Sequence, residues 1–495
     1  MTDQPPNAPA KPRSLFATVV PPIILPVFLA AADGTVVATA LPAIAADLGE
    51  VERLSWVVIV NLIASTIAAP AAGRLADLFG RRRMMILALW FHAAASVFAA
   101  LAPDFAWLLV ARALQGLGGG GLMTLAQALI GENVPARERG TYQGYLSANI
   151  VTGSTIGPVV GGLMTEAWGW RSVFLGYAPL CLLAILLVLR LPHGARTTDR
   201  PRIDVAGMVL LTGFVVPLLM AVSQLQRLDP TMLPTLAGLL VIAGLALATL
   251  LWQQQRSPAP LLVLSLLRIP AFWRADVMAF CSGASLVGLM TFLPIYLQVV
   301  TGASPAETGV LLIPLTGSVA SGSVITGWLI SRTGRTAIFP TVGLCVTAVT
   351  MVGLAIWAPD MSRVQLSWAL AIGGVCQGSA MLTAQVTVQT VGGARHLGAA
   401  AASAQLSRSL GSAFGAAATG AVLFSILTAT DPDTATMFFD MVRRGPGILA
   451  TLPAERQVTV QAEVAQAFRG VFLTIACFSV TIVVMAATLP MRRLQ

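Results

Sequence analysis

The sequence predicts an all-α polytopic membrane protein of fourteen crossing helices with both termini cytoplasmic, on three observations. Of its 495 residues 56% are hydrophobic and only 10% charged, with a mean hydropathy of +0.81; a soluble domain carries about 25% charged residues. Fourteen stretches are mainly apolar and long enough for a membrane helix, which needs about 20 residues. Third, with a cytoplasmic N-terminus, 20 of the 30 basic residues fall in inner loops and tails and eight outside, leaving Arg112 and Arg408 within helices. That is the positive-inside pattern. The net charge of +9 is therefore a topology signal, and no nucleic-acid partner is expected.

The apolar stretches run over 15–44, 54–76, 83–102, 105–130, 141–165 and 170–191, then 204–225 and 232–254. The last six run over 271–300, 306–330, 336–358, 364–390, 397–428 and 466–490. They group as a cytoplasmic tail (1–14), an N-terminal six-helix half (15–191), and a link with an inserted helix pair (192–270). A C-terminal six-helix half (271–490) with an outer loop (428–466) and a short tail (491–495) follow. Lys11, Arg13 and the apolar run ending in Ala30-Ala31-Ala32 weakly mimic a secretory signal, but cleavage there would discard the first helix with Asp33, and the segment is read as retained. The outer loop is expected to carry a short interfacial helix, acting as a connector on the membrane surface or as a lid. The five cysteines all sit in apolar stretches without ligand spacing and read as small packing residues. No metal site or cofactor is expected.

An internal repeat supports the two halves. Gly327 to Arg335 aligns with Gly73 to Arg81 at an offset of 254, and Gly157 and Gly161 then fall on Gly411 and Gly415. Two related halves around a central cavity is a common plan of secondary transporters. The second copy has Ser331 in place of Asp77, so its latch is expected to be degenerate.

Four patterns carry the candidate chemistry. In the turn after the second helix, Gly73 and Gly80 let helices come close, and Asp77 with Arg81 and Arg82 can form a charged cytoplasmic latch. Asp33 is the only charge between Ser14 and Ala46; a carboxyl inside a membrane helix faces a cavity or a partner, and its protonation follows hydration and nearby charge. Arg112, at about the same depth in the fourth helix, is its natural partner, as a fixed cation rather than a proton carrier. A structural salt bridge that only locks helices is the alternative. In the fifth helix, Gly153, Gly157, Pro158, Gly161 and Gly162 place small residues at four-residue spacing around a helix-bending proline, which is a packing surface.

Asn61, Gln115, Asn149, Gln385, Gln389, Gln405 and Arg408 are the remaining polar candidates for a substrate cavity, each also suited to an interhelical hydrogen bond. Arg408 either binds an anionic headgroup or snorkels to the cytoplasmic surface, with Asp276 the nearest acid by depth. His92 has no base or metal partner in the sequence. No Gly-Lys-Ser/Thr phosphate cradle is present, which argues against ATP as the drive.

The G-x-L-A-D-x-x-G-R-R spacing from Gly73 to Arg82 resembles the loop signature of the major facilitator superfamily. Asp33-Gly-Thr-Val-Val-x-x-Ala-Leu-Pro42 resembles the first-helix motif of its fourteen-helix drug:proton antiporter branch, with Ala38 where Asn is common. The stretches around Arg112 and from Gly153 to Gly162 resemble that branch's fourth-helix and antiporter motifs, while Gly176 to Pro179 departs from its usual Asn-Val-Pro. The resemblance implies the major facilitator fold and proton coupling through Asp33 and Arg112. It further implies export of small amphipathic compounds, multidrug-efflux fashion, across a bacterial inner membrane. The drive would be the proton gradient, the chain a monomer and not an enzyme, with membrane lipids around it. A lipid or glycolipid exporter of the same fold and a non-transporting receptor are the alternatives, and a periplasmic adaptor or lipoprotein remains open.

Overall fold

The computed structural model describes residues 15–49, 53–135, 137–191, 204–225, 232–258, 260–393, 396–444, 449 and 452–490. The two tails, 1–14 and 491–495, and the link from 192 to 203 lie outside the described residues. The elements are α1 (Leu15–Leu48), α2 (Ser55–Phe79), α3 (Arg81–Ala100), α4 (Phe105–Asn133), α5 (Arg139–Trp168), α6 (Trp170–Leu175) and α7 (Tyr177–Val188). Next come α8 (Val205–Leu225), α9 (Leu233–Arg256), α10 (Leu264–Leu267), α11 (Pro270–Val299) and α12 (Pro305–Thr333). The chain continues with α13 (Ile338–Trp357), α14 (Arg363–Gly392), α15 (Leu397–Thr430), α16 (Pro432–Arg444) and α17 (Ala454–Ala487).

Among the described residues thirteen spans, α6 and α7 together forming one, are long and apolar enough to cross a membrane. Helix α5 makes the fourteenth. Its six glycines and scattered polar residues dilute its hydropathy, but it is 30 residues long and packs between α1 and α12. Pro21, Pro22, Pro26 and Pro42 all lie inside α1, which membrane helices tolerate where neighbours satisfy the freed carbonyls.

Helix ends are set by local chemistry. Asp104 caps α4 by accepting from Trp107 N at 2.8 Å. Ser304 with Glu307 and Ser362 with Gln365 form reciprocal capping boxes on α12 and α14. Gly80 ends α2 at φ 91°, and Gly334, at the matching position of the repeat, ends α12 at φ 66°. Both conformations strain any residue with a Cβ.

Each half has its own apolar core. One joins α1, α3, α4, α5 and α7 around Met85, Leu122, Leu129 and Cys181. The other joins α11, α12, α13, α14, α15 and α17 around Tyr296, Phe468 and Phe472. The pair α8–α9 rests on α2 and α15 through Ile63, Leu211, Val215, Leu250 and Leu406, across the seam between the halves. Asp204 fastens the pair's inner end. Burial opposes its charge, but donors from Gly207 N (2.9 Å), Gln254 (2.7 Å), Gln253 (2.8 Å) and Leu261 N outweigh it and hold the carboxyl below its usual range.

The 428–466 stretch differs from the expected loop. It is mostly helix: α15 runs to Thr430, α16 follows at once, and α17 starts at Ala454. Phe438 and Met441 are buried in the second half's core, with Phe438 edge-on to Phe424 at 5.6 Å. The helix thus seats its apolar face on the second half.

Candidate functional site

Asp33 and Arg112 meet in the core of the first half. Arg112 Nη1 donates to Asp33 Oδ1 at 3.0 Å and Oδ2 at 3.1 Å; the arginine is wholly buried and Asp33 is 4% exposed. Three helices hold the guanidinium and carboxylate in place. Arg112 Nε donates to the Val57 carbonyl of α2 and Nη1 to Gln115 Oε1, while Asn61 Nδ2 donates to Asp33 Oδ2 at 2.8 Å. Phe174 covers the guanidinium at 5.9 Å.

The cluster continues into α3. Gln115 Nε2 donates to Ser96 Oγ (2.9 Å), which donates to the His92 carbonyl (2.7 Å); His92 Nδ1 lies 3.1 Å from the Gln115 carbonyl. Tyr177 meets the imidazole edge-on at 5.5 Å. His92 Nε2, Tyr177 Oη and Arg112 Nη2 are buried without a partner. The sequence did not reveal Ser96, His92 or Tyr177 as members. A signal was present in the run Gly118–Gly121, since a Cβ at Gly118 would stand 2.9 Å from His92 N. That glycine run admits α3, and so brings its lone histidine to the charge pair.

The antiporter-motif glycines brace the helix that carries Asp33. Cβ atoms at Gly153 and Gly161 would meet Phe28 O at 3.1 Å and Val36 O at 2.6 Å; one at Gly157 would collide with Thr35. Pro158 lies within the same helix. Gly162 differs: nothing lies within 4 Å of its Cβ position.

The latch joins the two halves. Asp77 accepts from the backbone N–H groups of Gly398 (3.1 Å) and Ala399 (3.2 Å), the first residues of α15, where the helix dipole favours an anion. Arg81 bridges Asp77 (3.0 Å) and Glu132 (2.9 Å), an acid the sequence did not point to. Gly73 lets α15 come close: its Cβ would lie 2.5 Å from Gly398 O. Two other expectations need correction. Gly80 serves the turn through its positive φ and faces open space. Arg82 bonds within its own half, to the Val188 and Leu189 carbonyls at the end of α7.

The repeat keeps its latch in a neutral form. Ser331 accepts from Thr141 N (3.2 Å) and Thr141 Oγ1 (2.8 Å) at the start of α5, and a Cβ at Gly140 would stand 2.8 Å from Gly327 O. The expected degeneracy is therefore a change of charge, with the contact retained.

The polar candidates for the cavity separate into two groups. Asn61 and Gln115 belong to the Asp33 cluster, and Asn149 Nδ2 donates to Ile24 O, all inside the first half. Gln389 donates to the Gln127 carbonyl across the halves at 2.9 Å, and Arg408 pairs with Gln405 and reaches Met123 Sδ of α4 at 3.9 Å. Gln385 is buried with its Nε2 unpartnered. Among the described residues Arg408 forms no ion pair, with Asp276 or any other acid. From Gly398 to Arg408 these cross-half contacts extend about 15 Å along α15, roughly half of a ~30 Å hydrocarbon core. The structure is closed on the cytoplasmic side.

Two pseudo-repeated helical halves, a charge pair buried within the first half and a cytoplasmic latch between the halves define a secondary-transporter architecture. The Major Facilitator Superfamily profile matches residues 23–416, and the chain belongs to that family. It is 31% identical over 466 residues to an uncharacterized MFS-type transporter of Mycobacterium tuberculosis, covering 93% of this chain and 67% of that one. It is 30% identical over 401 residues to the multidrug transporter protein MdtP of Bacillus subtilis, covering 81% and 74%. The fold also matches the proton:xylose symporter XylE, with a TM-score of 0.64, 15% identity and 96% of each chain covered. The family and fold are those of membrane transporters, which are generally not enzymes.

Proposed function

We propose that this chain is a monomeric proton-coupled antiporter that exports amphipathic compounds across a bacterial inner membrane by alternating access. The observation that carries the reading is the buried Asp33–Arg112 pair, roofed by Phe174 and tied by Val57 and Asn61 to the helix that bears the latch. A proton on Asp33 removes the charge that Arg112 pairs with, leaving a buried cation under-compensated, which favours rearrangement. Helix α2 then transmits the change, since Asn61 and Asp77 sit sixteen residues, about 24 Å, apart on it. Likeness to a multidrug transporter of B. subtilis supports the substrate class.

The test is proton flux in proteoliposomes carrying a pH-sensitive dye, with a panel of lipophilic cations and anionic lipids, for wild type and Asp33→Asn. Substrate-triggered flux in wild type and its loss in the variant is the expected result. Equal flux in both would make Asp33 structural. A second reading, export of an anionic lipid or glycolipid, is favoured by Arg408, which lies at the seam with only neutral partners. It predicts flux triggered by anionic lipids and abolished by Arg408→Gln.

A further inference from the structure

We propose that a second recognition site, for the ammonium end of an amphipathic cation, lies between α10, α11 and α15 at the depth of the inner leaflet, with Asp276 as its counter-ion. The site is separate from the Asp33 cluster and concerns binding, whether or not transport is proton-coupled.

Asp276 is 7% exposed, and among the described residues it forms no ion pair. Its Oδ2 accepts from Ser403 Oγ at 2.6 Å, while Oδ1 is buried with no partner at all. The carboxylate lacks a counter-ion, and although a proton on Oδ2 could turn toward Ser403 Oγ, Oδ1 is left without a partner in either protonation state. A buried group left in that condition is costly unless something else completes it. The neighbouring cations are engaged elsewhere. Arg274 bonds to the Thr488 carbonyl and lies over Trp273, and Arg408 turns to Gln405 and Met123.

Beside Asp276 is a cavity of about 350 Å³, walled mainly by Leu266, Leu267, Trp273, Phe280 and Leu406, with Ser403 at its polar end. That volume is within the range of small-molecule sites, which pair an apolar wall with a few polar anchors. Leu267 and Trp273 are more than a third exposed, so the cavity opens at the outer surface of the bundle near its cytoplasmic end. Asp276 stands six residues into α11 from its cytoplasmic end, about 9 Å. An ammonium group carried on an apolar body fits this arrangement: Asp276, which lines the cavity, supplies the opposite charge, and the body meets leucine and aromatic side chains. An anion would face a carboxylate there.

The experiment is photo-labelling of the intact protein in nanodiscs with a diazirine-bearing alkyl quaternary ammonium, and with its neutral carbon isostere. Labelled peptides are mapped by mass spectrometry. Wild type is expected to label within 262–280 and 399–407 with the cation, and at least about tenfold less with the isostere. Asp276→Asn should bring the cation down to the isostere's level. Leu406→Phe, which fills the cavity and leaves the carboxyl intact, should do the same and guards against misfolding of the first variant. Discs of phosphatidylglycerol alone are compared with discs containing phosphatidylethanolamine. Competition by the latter identifies a lipid amine as the natural occupant; equal labelling in both identifies a free amphipathic cation. Cation labelling unchanged by both variants, or equal labelling by the isostere, overturns the proposal. Because labelling needs no transport, its result is independent of proton flux through Asp33.

Discussion

Gly73→Ala should open the cytoplasmic side. The added methyl carbon would stand 2.5 Å from Gly398 O, 2.8 Å from Ala402 Cβ and 3.0 Å from Gly398 C. Two of those atoms are backbone of α15, so no rotamer change relieves the clash; α2 and α15 must separate. Overpacking of this kind costs about 1–3 kcal/mol. The strain exists only where α2 and α15 touch, so it shifts the equilibrium between closed and open cytoplasmic gates by about 5- to 150-fold. A population about 90% closed would fall to between about 60% and about 6% closed. Spin labels at Phe79→Cys and Thr333→Cys, in a background whose five native cysteines are alanine, report the distance between the inner ends of α2 and α12. Both sites are exposed. Gly73→Ala should raise the long-distance population while Gly162→Ala, whose Cβ meets nothing within 4 Å, leaves it unchanged. An unaltered distance distribution in Gly73→Ala, or an equal shift in Gly162→Ala, would refute the close-packing account of the latch.

Three further outcomes are expected. Gly161→Val should cut export strongly by driving α5 off α1, whereas Gly162→Val should be tolerated; equal flux defects in the two would show that the motif does not act through packing on α1. Asp204→Ala leaves Gln254 and the Leu261 N–H short of a buried acceptor, at about 1–3 kcal/mol, and should lower the thermal midpoint measured by tryptophan fluorescence. At the outer end, Arg456, the Asp433 N–H and Thr434 hold the Asp431 carboxyl below its usual range. A depressed carboxyl contributes stability above its unfolded pKa of about 3.9, lost as pH falls through the lower folded value. Amide protection factors over 432–444, corrected for the intrinsic pH dependence of exchange, should therefore be high at pH 7 and fall below about pH 4, and already be low at pH 7 in Asp431→Asn; indifference to both changes would show that Asp431 does not secure α16.

The fold was legible because the bilayer imposes a length and a charge rule that few soluble sequences satisfy. The Asp33–Arg112 pair was legible for a related reason: isolated charges in apolar helices have few places to go. Where the reading stopped, the missing information was azimuthal. Knowing that Gly73 must be small does not say which helix approaches it, and the partner, Gly398, lies 325 residues away at the start of α15. Arg82 looked like Arg81 in sequence, but one helical step rotates it by about 100°, from the latch to the carbonyls ending α7. Ser96 carries no charge to mark it, and only the three-dimensional contact of α3 with the glycine run of α4 makes it a neighbour of the pair through Gln115. Spacing identified Ser331 as the counterpart of Asp77, but not that a hydroxyl can accept from the start of α5 in the carboxylate's place.

That difference between the two latches has a mechanical consequence. Asp77 meets the N-terminus of α15 as a full charge, reinforced by Arg81 and Glu132, while Ser331 meets the start of α5 through neutral hydrogen bonds. Hydrogen bonds to charged groups contribute about 1.5–3 kcal/mol and neutral ones about 0.5–1.5, so the two sides of the cytoplasmic closure are unequal. The closure with the weaker hydrogen bonds is the one on α5, the helix whose glycine face carries α1 and with it Asp33. The stronger is on α2, which holds Asp33 through Asn61 and Arg112 through Val57. If opening is triggered at the charge pair as proposed, the polar closure between α5 and α12 is expected to yield before the one between α2 and α15. On that reading the order of opening begins at α5, the helix braced against the one that carries Asp33.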